Sequence, residues 1–124
     1  MFSIDARSRV PIYEQLVQNI INLISKGALA ADDQLPSVRS LARDLGINPN
    51  TVQKSYQELE LRGLIYQAAG RGSFISPGEN LTRAVLEQCL KAVEVPMHAA
   101  KKAGVSKEIM LKLTNEIYEE EAKQ

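Results

Sequence analysis

The chain has 124 residues and a formal net charge of zero, with 15 Lys or Arg against 15 Asp or Glu. That length suits one domain or a small domain with an appendage. No apolar run is long enough to span a membrane, the start Met1-Phe2-Ser3-Ile4-Asp5 lacks the regions of a secretory leader, and the single Cys89 excludes an internal disulfide, so a soluble cytoplasmic protein is expected.

Residues 1–10 carry no helical period and are expected to lead in as extended chain. From Pro11 the apolar residues Tyr13, Leu16, Val17, Ile20, Leu23 and Ile24 recur every three or four positions, which predicts an amphipathic helix over 11–26 stopped by Gly27. Asp32-Asp33 reads as a turn, and Leu35 as one short strand.

Residues 35–63 organise the chain. Ser37 is placed to cap a short helix carrying Val38, Leu41, Ala42 and Leu45, and Gly46 sits where a helix ends in a left-handed residue. Ile47 plugs the turn. Asn48 caps a second helix, expected over 48–62, with Pro49 at its first position, where a missing N–H costs nothing. Val52, Tyr56, Leu59 and Gly63 mark its buried face. Asn50, Thr51, Lys54 and Gln57 lie opposite, with Gln53 at the edge. Amides, a hydroxyl and an ammonium on one exposed face suit base edges and phosphates, so the pair reads as a helix-turn-helix with the second helix as the recognition element. The competing reading is an ordinary helical hairpin.

After Gly63 the period becomes alternating. Residues 64–67 and 73–76 read as two strands, and 68–72 as a hairpin tip. A helix-turn-helix followed by such a hairpin is a winged helix, and the glycines beside Arg71 allow close approach of backbone to DNA. Gly70-Arg71-Gly72 lacks the strand-to-helix context of a dinucleotide site.

Residues 77–80, Pro-Gly-Glu-Asn, read as a boundary. Beyond it come two helical stripes. The first holds Leu81, Val85, Leu86, Cys89, Leu90 and Val93, with an interruption or kink expected at Pro96. The second holds Val105, Ile109, Leu113 and Ile117, with Ser106 as its cap and Gly104 as the stop before it. Glu119-Glu120-Glu121 reads as a solvated, frayed end. Two such helices cannot stand alone and need another surface, either the winged helix or the same helices of a second chain. The second option is preferred, with Leu81, Val85, Cys89, Val93, Val105, Ile109, Leu113 and Ile117 as the dimerisation residues. The expected organisation is a winged helix-turn-helix over 1–76 and a helical dimerisation tail over 77–124. The fold class is mainly α with a small β-hairpin wing.

Charge does not single out either part. Residues up to Ser76 hold eight Lys or Arg against seven Asp or Glu, and the remainder seven against eight. A DNA reading therefore rests on local placement of Arg39, Arg43, Lys54 and Arg71. His98 has no second ligand at metal spacing and reads as a surface or interface histidine; no metal or cofactor is expected. Cys89 reads as a buried small hydrophobe. No serine or cysteine sits in a recognisable nucleophile motif, and no catalytic residue is expected.

Leu35-Pro36-Ser37-x-Arg39-x-Leu41-Ala42, Leu45-Gly46-Ile47-Asn48-x-Asn50-Thr51-Val52, Gly63-Leu64 and Gly70-x-Gly72-Ser73-Phe74-Ile75 together resemble the GntR family of bacterial transcription regulators. Pro11-Ile12-Tyr13-x-Gln15-Leu16 matches as well, so the resemblance spans about residues 10–76. The short two-helix tail resembles the YtrA subfamily, whose tail is a dimerisation element. The resemblance implies DNA contacts from Arg39, from Asn48, Asn50, Thr51 and Gln53, and from a wing tip of Ala69, Gly70 and Arg71 in the minor groove. Pro49 departs from the family, in which many members carry arginine there, so another member's operator is not carried over. The implied protein is a homodimeric regulator, a repressor by expectation, on a two-fold symmetric double-stranded operator. Transporter operons are the implied targets, and no residue pattern points to a small-molecule effector. Two alternatives stand beside this reading. One is the DNA-binding part of a MocR-type regulator with a pyridoxal-phosphate aminotransferase-like domain, for which the 48 residues after Ser76 are too few. The other is a winged helix used for protein or RNA contacts.

Overall fold

The computed structural model describes residues 2–122, excluding the side chains of residues 121 and 122. The order is α1 (Ile12–Ser25), α2 (Val38–Leu45), α3 (Pro49–Leu61), β1 (Ile65–Ala68), β2 (Gly72–Ile75), α4 (Gly78–Lys102) and α5 (Lys107–Ala122). The chain divides into two compact units, Met1–Glu87 and Gln88–Gln124.

In the first unit α3 packs against both α1 and α2. The spacing of apolar residues dictates this: Leu16, Val17 and Ile20 of α1, Leu41 and Ala42 of α2, and Val52, Tyr56 and Leu59 of α3 are buried in one cluster. Tyr56 is buried whole, yet its hydroxyl donates to the Pro36 carbonyl at 2.7 Å, and burial pushes its phenol above the usual range. Ser55, on the same face, is also buried. Its hydroxyl lies 3.1 Å from the Tyr13 carbonyl and 3.0 Å from that of Thr51, so its one proton ties α3 to the start of α1.

The hairpin is antiparallel, in the register Ile65 to Ile75 and Ala68 to Gly72, with Tyr66 and Phe74 rings stacked at 5.5 Å. A third segment lines β2. Asp32 N–H donates to the Ile75 carbonyl (2.9 Å), Ile75 N–H to that of Asp33 (2.8 Å) and Leu35 N–H to that of Ser73 (2.8 Å). The isolated bridge falls at Gln34, beside the Leu35 expected. Tyr66 hydroxyl donates to Asp32 at 2.8 Å, and Asp32 holds a left-handed backbone at φ 66°.

Residues 2–10 differ from the extended lead expected. Phe2 and Ile4 pack on the core, and residues 6–10 curl in turns. Gln15 holds that curl, accepting from Asp5 N–H (2.7 Å) and donating to the carbonyls of Asp5 (3.0 Å) and Val10 (2.8 Å).

The expected boundary at 77–80 is not a linker. α4 begins at Gly78, with Leu81 N–H donating to the Pro77 carbonyl at 2.8 Å. Leu81 and Ala84 are buried in the first unit's core and Val85 packs against it, so the first turns of α4 complete that core. The compact unit accordingly ends at Glu87 and not at Ser76.

Pro96 does not interrupt α4, which continues to Lys102. The proline removes one donor, from the Ala92 carbonyl, and residues 91–99 are all exposed, so water can satisfy it. In the second unit Gly104 (φ 103°) ends the helix, and Ser106 caps α5 by accepting from Ile109 N–H at 3.2 Å. α5 remains helical through Glu119 and Glu120; the side chain of Glu121 lies outside the described residues. α4 and α5 make no extended contact along their lengths.

Candidate nucleic-acid interface

The turn between α2 and α3 is built by local chemistry. Ser37 Oγ accepts from Ser40 N–H at 3.1 Å and opens α2. Gly46 takes φ 67°, a left-handed value that a side chain would resist, and Ile47 N–H closes back on the Ala42 carbonyl at 3.0 Å. Asn48 Oδ1 then accepts from Asn50 N–H at 2.8 Å to open α3, with Pro49 in its first position. The cap occupies one end of the Asn48 side chain and leaves its Nδ2 donors outward.

With the Val52, Ser55, Tyr56 and Leu59 face buried, the 3.6-residue turn places Asn50, Lys54 and Gln57 on the opposite, exposed face. Thr51 and Gln53 flank it, half-buried. Arg39 and Arg43 are exposed one turn apart on α2. Among the described residues neither is in an ion pair. Lys54 has a specific seat: its Nζ stands 4.0 Å from the centroid of the Tyr13 ring. That contact orients the ammonium on the exposed face of α3. The Tyr13 hydroxyl donates to Glu14 at 3.2 Å, a bond that raises its pKa and keeps the phenol neutral.

Gly70 and Arg71 are exposed at the wing tip. Arg71 N–H donates to the Ala68 carbonyl at 2.9 Å, and the Gln34 amide donates to the Arg71 carbonyl at 2.9 Å. Gly72 has φ 118°, and a Cβ there would stand 3.0 Å from Gln34 Nε2, so glycine leaves room for the brace. The hairpin tip is thus tied to the segment before α2. Gln34, Tyr13 and Gln15 were missed in the sequence. Gln34 lies 37 residues from its partner, and nothing local signals the contact.

The expected dimerisation residues separate into two groups. Leu81 is buried in the first unit's core, and Val85 is half-buried against it. Cys89 is exposed, not buried as expected, because the stripe runs past the core after Val85. Val93, Ile109, Leu113 and Ile117 are 46–58% exposed and Val105 is half-buried. His98 is exposed, its Nε2 4.0 Å from Glu94. Among the described residues no group of three or more His, Cys, Asp or Glu could hold a metal. No helix among the described residues is long and apolar enough to cross a membrane.

Residues 12–75 match the gntR family of bacterial regulatory proteins, over the segment that forms this helix-turn-helix and wing. The chain belongs to the GntR family. It is 42% identical over 105 residues to the HTH-type transcriptional repressor YtrA of Bacillus subtilis, covering 81% of each chain. A GntR family transcriptional regulator from Listeria monocytogenes superposes with a TM-score of 0.73 at 31% identity, covering 91% of this chain and 98% of that one. The AraR DNA-binding domain in complex with operator ORE1 matches with a TM-score of 0.52 at 25% identity, over 61% of this chain and 93% of that one. This GntR chain is a DNA-binding transcriptional regulator with a winged-helix fold, and its relatives are regulators rather than enzymes.

Proposed function

We propose that the chain is a cytoplasmic repressor that binds a two-fold symmetric operator as a homodimer. α3 lies in the major groove with Asn50, Thr51, Gln53 and Lys54 toward the DNA. Asn48 contributes through its free Nδ2 donors, Arg39 holds the flanking phosphate or base, and Gly70 and Arg71 enter the minor groove. The second unit pairs two chains through Val93, Val105, Ile109, Leu113 and Ile117, with Cys89 at the margin. The observation that carries the dimer is the exposed apolar run of α4 and α5, which is too large for a helix pair left in water. Repression is supported by the name of the Bacillus relative, and operator binding by the AraR domain's complex.

The test is binding to duplex DNA from the gene's own promoter, read by fluorescence anisotropy. A duplex with two half-sites should bind two chains with steep salt dependence, and cutting it to one half-site should weaken binding by orders of magnitude. Equal affinity for one half-site, two half-sites and random duplex would refute the reading.

A further inference from the structure

At the C-terminal end of α3 the first unit holds an open groove of about 410 Å³, walled by the end of α3, by β1 and by the first turns of α4. That volume is within the range of small-molecule sites. Ser76 lines it and is 5% exposed. Its hydroxyl has no hydrogen-bond partner among the described residues, yet no fully enclosed side-chain polar atom is left unsatisfied. The hydroxyl is therefore not fully enclosed, and because Ser76 lines the groove a ligand seated there would satisfy it.

The other polar groups favour an anion. Arg83 lines the groove and forms no ion pair among the described residues. Asn80 supplies an amide beside it. Asn80 lies in the first turn of the 25-residue α4 and Pro77 just precedes it, at the end of the helix that carries the positive pole of its dipole. Arg62 also lines the groove, its charge paired with Glu58 at 2.9 Å. Glu87 is the single carboxylate on the wall, and Arg83 is the guanidinium there that forms no ion pair among the described residues.

We propose that this groove is an effector site for a small organic anion, a carboxylate or a phosphate ester, seated on Arg83, Asn80 and Ser76. Regulation through it rests on the DNA-binding reading above. The anion touches the last turn of α3 and the wing strand β1 together, so occupancy biases the angle between the two DNA-facing elements.

The probes are inorganic phosphate and citrate, titrated at matched ionic strength into isotope-labelled full-length protein and followed by amide chemical shifts. At least one should give saturable shifts centred on Ser76, Asn80 and Arg83, with Kd of about a millimolar or tighter. Arg83→Gln and Ser76→Ala, each retaining the wild-type fold by circular dichroism, should lose them. A phosphate-only response assigns a phosphoryl ligand, and a citrate-only response a carboxylate. Shifts scattered over every surface cation, or retained in Arg83→Gln, overturn the site. In the second arm the effective anion should change affinity for the promoter duplex by about fivefold or more in wild type and not in Arg83→Gln. An equal response in both proteins overturns the effector role. Failure to bind the duplex both with and without the anion refutes the DNA reading instead, and the shift arm still reports the groove.

Discussion

In the first unit the stripe Val52, Tyr56 and Leu59 is closed under α1 and α2, whereas in the second Ile109, Leu113 and Ile117 remain about half exposed. Both stripes have helical spacing and similar residues. Their fates differ because α3 is crossed by two neighbours in its own chain, while α4 and α5 make little contact with each other. A buried stripe gives a fold, and the open one is the surface on which the proposed pairing of two chains rests. α4 takes part in both: Leu81 and Ala84 finish the first core, and the residues after Glu87 carry the open surface.

The largest way to break this contrast is a charge in the open stripe. Leu113→Glu should lower operator affinity by two orders of magnitude or more, about 3 kcal/mol, by removing the second half-site. The melting of the first unit, followed by calorimetry, should not change. The closed side predicts the reverse. Leu81→Ala should cost about 2–3 kcal/mol of stability in urea denaturation, within the range for buried leucines. Val95→Ala, on the same helix but exposed, should stay within about 0.5 kcal/mol.

Smaller effects sharpen the DNA face. Arg39→Ala and Lys54→Ala should each cost about 1–3 kcal/mol if they contact bases, or lower the salt slope by about one unit if they contact phosphates. Both should leave circular dichroism unchanged. Tyr13→Leu should reproduce part of the Lys54→Ala loss, because the ammonium loses its seat. The smallest effect is at the wing. Arg71→Ala should weaken operator and random duplex by similar factors, about 1 kcal/mol or less, since the minor groove carries little sequence information. Gln34→Glu replaces the donor to the Arg71 carbonyl with an acceptor and should give a fraction of that loss. In the Arg71→Ala background it should add nothing, measured as a double-mutant cycle.

The parts legible in the sequence are those set by local chemistry. Ser37, Gly46, Asn48 and Pro49 mark the ends of α2 and α3 because caps and left-handed stops depend on one residue and its near neighbours. The hairpin follows from alternation, and its ends move by one residue at most. What was not legible depends on distant partners. Beyond the short strand expected at Leu35, residues 32–34 are too polar to read as strand, and the segment aligns on β2 through bonds to Ser73 and Ile75. The division of the α4 stripe after Val85 has no sequence mark either, since Leu81, Val85 and Cys89 are evenly spaced and only the reach of the core separates them. At the DNA face the exposed set was readable from periodicity, whereas Tyr13 under Lys54 and Gln34 under Arg71 required the fold.

The central claim is that the closed unit reads DNA and the open unit pairs the chains. Sedimentation equilibrium of the full-length protein beside Leu113→Glu tests it most directly, each run alone at micromolar concentration and again with a duplex carrying two half-sites. The account predicts a wild-type dimer, seated as two chains per duplex, and a Leu113→Glu monomer with an intact winged helix. A Leu113→Glu protein that stays dimeric and holds the operator with wild-type affinity would contradict it.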